Sequence, residues 1–214
     1  MHTSRRLAEE TDGAVWANQF DNIANRKAHI EGTAAELWQQ LEGRIDGFTC
    51  AVGTGGTLAG VGLGLKEFDD TVTIALTDPH GAALYNYYAN GELVAEGTSV
   101  AEGIGQGRIT ANLEGAPVDD ALQITDAEAL PYIFDLVVEE GLVLGSSSAI
   151  NIAAAMRVAK ALGPGHTIVT ILCDYGNRYQ SKLFNPDFLK SKGLPLPAYL
   201  TANSDIPVPY ENLA

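Results

Sequence analysis

The stretch CAVGTGGTLAGVG, residues 50–62, constrains the fold more than any other part of the chain. Five of its thirteen residues are glycine, an apolar run precedes it and a helical pattern follows. A strand passing into a helix through such a loop is an element of α/β folds. Glycine lets the backbone take positive φ and lets a ligand approach without meeting a Cβ. The first N–H groups of the helix have no partner within it, and the helix dipole adds partial positive charge there. Thr54 and Thr57 supply hydroxyl donors. Residues 53–57 therefore read as an anion cradle that needs no lysine or arginine. The alternative is a glycine-lined contact between helix and sheet that holds no ligand.

The rest of the chain repeats the alternation of short apolar runs and helical segments. DGFTCAV, TVTIALTDP, ALQIT and HTIVTILCD (from Asp46, Thr71, Ala121 and His166) read as strands. Helices are expected in TSRRLAEETDG, in GTAAELWQQLEGRID with Thr33 as N-cap and Glu36 completing a capping box, and after the glycine loop. Others are expected from Thr125, with Glu128 as its capping-box partner, in the alanine-rich run after GSSSA, and in NRYQSKLFNPDFLKSKG. Residues 81–120 show little periodicity; a long glycine-bearing stretch of that kind is more often functional than idle. The expected fold class is α/β, a mostly parallel sheet with helices on both faces, with a proline-rich surface tail over residues 194–214.

Net charge and cysteine usage narrow the function. A formal charge of −14 argues against nucleic acid and against an anionic membrane as main partner, and no apolar run is long enough to cross a membrane. Cys50 and Cys173 each lie in or beside an apolar run, which suggests two buried, reduced thiols and a cytoplasmic protein. The four histidines show no metal-ligand spacing, so no metal site is expected. The loop lacks the Gly-Lys-Ser/Thr ending of a nucleotide P-loop. Asp78, 25 residues after Gly53, suggests an acid on a ribose, as in a dinucleotide-binding dehydrogenase; the glycine spacing disagrees. GSSSA on its own reads as a helix start, with Ser148 as a possible cap. Asp174, Tyr175 and Arg178 follow the last strand, as either a site rim or a loop ion pair.

NQFDNIANRKAH (18–29), GTGGT (53–57), EGIGQG (102–107), GSSSA (145–149) and CDYGNRY (173–179) occur in this order. Together they closely resemble the cysteine synthases (O-acetylserine sulfhydrylases), pyridoxal 5′-phosphate enzymes of the tryptophan synthase β-like fold, over most of the chain. The resemblance implies that Gly53, Thr54, Gly55, Gly56 and Thr57 hold the cofactor phosphate and that Ser147 meets the pyridine nitrogen. It places Gln19 and Phe20 near the substrate carboxylate and Gly103, Ile104 and Gly105 along the substrate cleft. The implied reaction replaces the acetoxy group of O-acetyl-L-serine with sulfide, giving L-cysteine and acetate. Cystathionine β-synthase has a similar motif set. The resemblance further implies a homodimer and a possible serine acetyltransferase partner.

Two family motifs do not occur: the Ser-x-Lys-Asp/Asn-Arg lysine that attaches the cofactor, and a Thr-Ser-Gly-Asn-Thr loop for the substrate carboxylate. None of the six lysines, Lys27, Lys66, Lys160, Lys182, Lys190 and Lys192, has that setting. No catalytic residue is therefore assigned. Residues 1–193 are expected to be the larger, C-terminal domain of a truncated family member, with apolar surface bared and no cysteine synthesis of its own. The alternative is a non-catalytic remnant that binds the cofactor or serine acetyltransferase.

Overall fold

Four parallel strands form the centre of the molecule, in the order β3-β2-β1-β4. The computed structural model describes residues 2–201. β1 (Gly47–Ala51) lies between β2 (Thr73–Pro79) and β4 (Ile168–Val169), and β3 (Asp120–Ile124) flanks β2. Strand side chains alternate between faces, and β1 feeds two cores in this way. Phe48 and Cys50 join Leu58, Val61 and Leu65 of α4 (Gly56–Phe68). Ala51 packs on the other core, built on Ile133 and Phe134 of α6 (Asp126–Glu139) and Ile150 and Ala154 of α7 (Ser146–Leu162). Helices thus cover both faces, as expected for a buried parallel sheet. No helix among the described residues is long and apolar enough to cross a membrane.

α1 (His2–Glu10) lies where the sequence puts it, but the next helix begins earlier than its capping box suggests. α2 (Ala24–Ala28), a π-helical turn (His29–Ala34) and α3 (Ala35–Gln40) follow one another without a break. Thr33 lies inside this run, with its hydroxyl 2.9 Å from Nδ1 of His29. The amide of Ala24 instead donates to Oδ1 of Asn22 at 3.1 Å. Packing overrides the local signal. A Cβ on Gly60 of α4 would stand 2.5 Å from both Arg26 O and His29 Cβ, and one on Gly64 would stand 2.5 Å from Ala34 Cβ. The two glycines let α4 press against the π turn and hold it helical. Thr125, by contrast, caps α6 as expected, its hydroxyl accepting from Glu128 N at 3.2 Å.

Two other expectations need correction, and two further stretches show more structure than the sequence indicates. α5 (Leu84–Asn90) lies in the stretch without periodicity, and its Tyr88 packs on the first core. The last strand is only two residues long, because Thr170 Oγ1 donates to Thr49 O at 2.6 Å beyond Val169. The last helix shrinks to α8 (Pro186–Ser191), where Asn185 caps and Pro186 opens the first turn. The tail is partly docked: Leu194, Leu196 and Leu200 pack on the second core. Residues 202–214 lie outside the described part.

Asp78 is fully buried, so it cannot meet a ribose, which removes the dinucleotide reading. Its Oδ2 accepts from Tyr85 N at 2.9 Å at the start of α5, while Oδ1 is buried without a partner among the described residues. Burial raises its pKa from 3.8 to about 6, against the opposing pull of the Tyr85 and Leu84 amides. The folded state therefore binds a proton more tightly than the unfolded chain. The contribution of Asp78 to stability should fall as pH rises from about 4 to about 6 and level off above, a change of roughly 3 kcal/mol at most. Asp78→Asn, which keeps the acceptor for Tyr85, should flatten that slope in urea melts across pH 4–8.

Candidate functional site

In an open α/β sheet, ligands collect beyond the strand C-termini where the strand order reverses. Here that point lies between β1 and β4. A cleft of about 440 Å³ opens there, lined by Gly53, Thr54 and Thr57 after β1 and by Cys173 and Asp174 after β4. Its volume falls within the roughly 300–1,000 Å³ of small-molecule sites. Gly103, Ile104 and Ser147 line the same cleft. Residues predicted from three separate motifs thus share one space.

The loop is held by close backbone approach. Gly55 has φ +85°, and a Cβ there would stand 2.6 Å from Leu113 Cβ. A Cβ on Gly53 would stand 2.7 Å from Gly103 O, so that glycine lets the 102–107 stretch close on the loop. Gly105, which does not line the cleft, ties the same stretch to β1 by donating to Val52 O at 3.0 Å. Thr110 Oγ1 donates to Thr54 O at 2.6 Å. Gly55 and Gly56 are buried beneath the cradle at the start of α4.

Ser147 is buried in the first turn of α7. Gly145 occupies the N-cap, and Ser148 is no cap: its Oγ accepts from Cys173 N at 2.9 Å. One turn further on, Asn151 accepts from Ala51 N and donates to Ile171 O, both at 2.7 Å, clamping α7 between β1 and the chain after β4. Cys50 is buried as expected, but Cys173 is exposed, because the chain has left the sheet before reaching it. Asp174 and Arg178 both line the cleft, 3.7 Å apart, so the rim and ion-pair readings hold together. Asp174 Oδ2 also accepts from Tyr179 OH at 2.9 Å. Among the described residues no cluster of acids, histidines and cysteines is suited to a metal.

Gln19 and Phe20 do not line the cleft; they border a separate hollow of about 380 Å³ with Ser4 and Trp16. Their main chain is nevertheless bound to the loop's surroundings. Asn112, fully buried, donates to Gln19 O and Phe20 O, both at 2.8 Å, and accepts from Arg26 N at 3.1 Å. Asn25 donates to Gln19 O and to Thr54 Oγ1, both at 2.9 Å. Asp21 holds Arg108 with 2.9 Å contacts from both terminal nitrogens, which keeps its carboxyl below the usual range, and the guanidinium lies 5.9 Å from the Phe20 ring centre. Asn25 lies within the NQFDNIANRKAH motif, whereas Asn112 and Asn151 carry no sequence signal.

The cradle suits a small phosphate: a left-handed glycine, the buried start of a thirteen-residue helix and two hydroxyls at the rim. None of the six lysines is among the residues lining it. Lys27 pairs with Glu31 on the surface, Lys66 with Asp119, and Lys182 with Glu102, itself a lining residue.

Comparison with known proteins agrees with this fold. The family of pyridoxal-phosphate dependent enzymes matches residues 1–174. Cysteine synthase 1 of Emericella nidulans is 50% identical over 198 residues, which cover 90% of this chain and 54% of that protein. Cysteine synthase 1 of Neurospora crassa is 49% identical, covering 90% and 53%. The chain thus spans about half the length of these curated relatives. A crystal structure of an O-acetylserine dependent cystathionine β-synthase from Helicobacter pylori superposes with a TM-score of 0.76 at 32% identity, covering 85% of this chain and 57% of that one.

Proposed function

The chain belongs to the family of pyridoxal-phosphate dependent enzymes, and from that premise we propose that it carries the cofactor-holding part of a cysteine synthase. The observation that carries this reading is the meeting of residues 53–57, Gly103, Ile104 and Ser147 around one cleft. In this reading the amides and hydroxyls of residues 53–57 bind the phosphate of pyridoxal 5′-phosphate. Gly103 and Ile104 border the substrate, while Gly105, Gln19 and Phe20, which lie off the cleft, support the loop through their main-chain bonds. Bound there, the cofactor supplies an electron sink for replacement at the β-carbon of O-acetyl-L-serine by sulfide. Ser147 offers the ring nitrogen a neutral hydroxyl. Such a partner cannot keep that nitrogen protonated as a carboxylate would, which favours elimination and replacement at the β-carbon. Residues 1–193 act as the large domain, and the working protein is a cytoplasmic homodimer able to meet serine acetyltransferase.

Among the described residues no lysine lines the cleft, so in this reading none of the six is placed to attach the cofactor or to move the substrate α-proton. Purified chain given pyridoxal 5′-phosphate, O-acetylserine and sulfide should produce no steady cysteine. It should turn yellow with a colour that survives dialysis and is lost on denaturation. Steady cysteine production would overturn the assignment of the cleft as lysine-free. A second reading, a cystathionine β-synthase-like site, draws support from the Helicobacter pylori structure. Joining this chain to the lysine-bearing segment of a relative and supplying homocysteine in place of sulfide separates the two, since only the second reading expects cystathionine as the main product.

A further inference from the structure

Both hydroxyls of the glycine loop are met from behind by side chains that leave their protons available to the cleft. Asn25 Nδ2 donates to Thr54 Oγ1 at 2.9 Å, and Gly56 N donates to the same oxygen at 3.3 Å. A hydroxyl oxygen accepts through two lone pairs. Both are occupied, so the Thr54 proton is left to be donated. Among the described residues no protein acceptor receives it, and Thr54 lines the cleft. The orientation of the Asn25 amide is itself fixed. Its second N–H goes to Gln19 O at 2.9 Å, a carbonyl that can only accept, so a flipped amide would set oxygen against oxygen.

Thr57 has the matching arrangement. Its Oγ1 is 3.2 Å from Nε2 of His29, whose Nδ1 is 2.9 Å from Thr33 Oγ1. Burial lowers the pKa of His29, favouring the neutral ring, in which one nitrogen donates and the other accepts. Thr33 and Thr57 can each take either role. An anion in the loop decides between them, because it can only accept from Thr57. Nε2–H must then donate to Thr57, and Nδ1 must accept from Thr33.

We propose that Asn25 and His29 are positioning residues, Asn25 holding the Thr54 proton toward the cleft and His29 donating to Thr57 Oγ1 so that the Thr57 proton meets a bound anion, which makes the loop selective for an acceptor dianion. The proposal rests on the reading of residues 53–57 as a phosphate cradle and adds what sets its polarity. The fitting chemistry is an ionised phosphate monoester or sulfate, both acceptors only; free phosphate, which keeps one P–OH near neutral pH, fits through its remaining oxygens. A neutral alcohol in the same place gains much less.

The test is calorimetric titration of the chain with sulfate, inorganic phosphate and pyridoxine 5′-phosphate, whose alcohol cannot condense with surface amines. All three ligands should bind wild type, and stronger binding of the last alone identifies the cofactor as the source of the phosphate. Thr54→Val removes the hydroxyl. Asn25→Asp replaces the donating N–H with an acceptor that draws the Thr54 proton back. Each should weaken sulfate binding by about tenfold or more. The double variant should be no weaker than Asn25→Asp alone, since the hydroxyl is already withdrawn. Losses that multiply in the double variant, or Asn25→Asp binding like wild type while Thr54→Val does not, overturn the proposal and leave the cradle standing. If wild type binds none of the ligands, the cradle itself falls and the proposal with it; Thr54→Val binding as wild type does overturns the proposal alone, since the main-chain amides still hold the anion. Nitrogen-15 spectra of His29 in sulfate-loaded wild type give a second readout that needs no variant to fold. Protonation at Nε2 is expected, and an Nδ1–H tautomer overturns the role given to His29.

Discussion

Gly55→Ala should cost about 2–4 kcal/mol of stability and abolish measurable phosphate binding. Two costs add. At φ +85° a side chain pays about 1 kcal/mol or more for the left-handed backbone. The new Cβ would also stand 2.6 Å from Leu113 Cβ and 3.1 Å from its Cα and N, atoms of a fully buried residue that cannot swing away. Overpacking of that kind costs typically 1–3 kcal/mol. Relief requires the loop to turn, and turning takes the amides at the start of α4 out of the cradle. Gly103→Ala is the control. Its φ is +78°, but a Cβ there meets nothing within 4 Å. It should lose only the conformational part, about 1 kcal/mol, and keep most phosphate affinity. Urea melts and calorimetry on the two variants separate contact from conformation.

The second large effect is expected at Asn151. Asn151→Ala leaves Ala51 N and Ile171 O, on either side of α7, without their side-chain partner. A buried polar group left unpaired costs about 1–3 kcal/mol; both of these are part-buried, which keeps each toward the lower end, so a loss of roughly 2–4 kcal/mol is expected. For a chain of this size that corresponds to a melting point lower by about 6–12 °C. The same change frees the start of α7, one turn before Asn151, and with it Ser147. Affinity for pyridoxine 5′-phosphate should therefore fall further than affinity for sulfate, which touches only the loop. Asn151→Asp keeps an acceptor for Ala51 but sets a charged oxygen against Ile171 O. It should be no better than alanine.

These residues show which parts of the molecule the sequence displays. The loop was legible because its chemistry is local: strand, glycines, threonines and helix follow within a dozen positions. The parallel sheet was legible for the same reason, through short apolar runs alternating with helical patterns. The supports of the site were not, because each acts across the chain. Asn112 reaches carbonyls 92 and 93 positions away, and Asn151 an amide 100 positions away. A buried asparagine and an exposed one look alike until the partners are known. Thr33 misled for the opposite reason. Its capping-box pattern is genuine local chemistry, but the glycine stripe of α4 holds the helix open through it. Cys173 misled because an apolar run was read as continuing strand, whereas the ladder ends at Val169 and the thiol emerges at the cleft.

The central claim is that the main chain of residues 53–57 and the hydroxyl of Ser147 belong to one pyridoxal phosphate site. Amide NMR during titration with pyridoxine 5′-phosphate tests it most directly. The account predicts that the largest shifts fall together, with one dissociation constant, on the amides of residues 53–57, on Gly103 and Ile104, and on Ser147. Shifts confined to surface lysine segments, or movement of the loop with Ser147 unaffected at saturation, would contradict it.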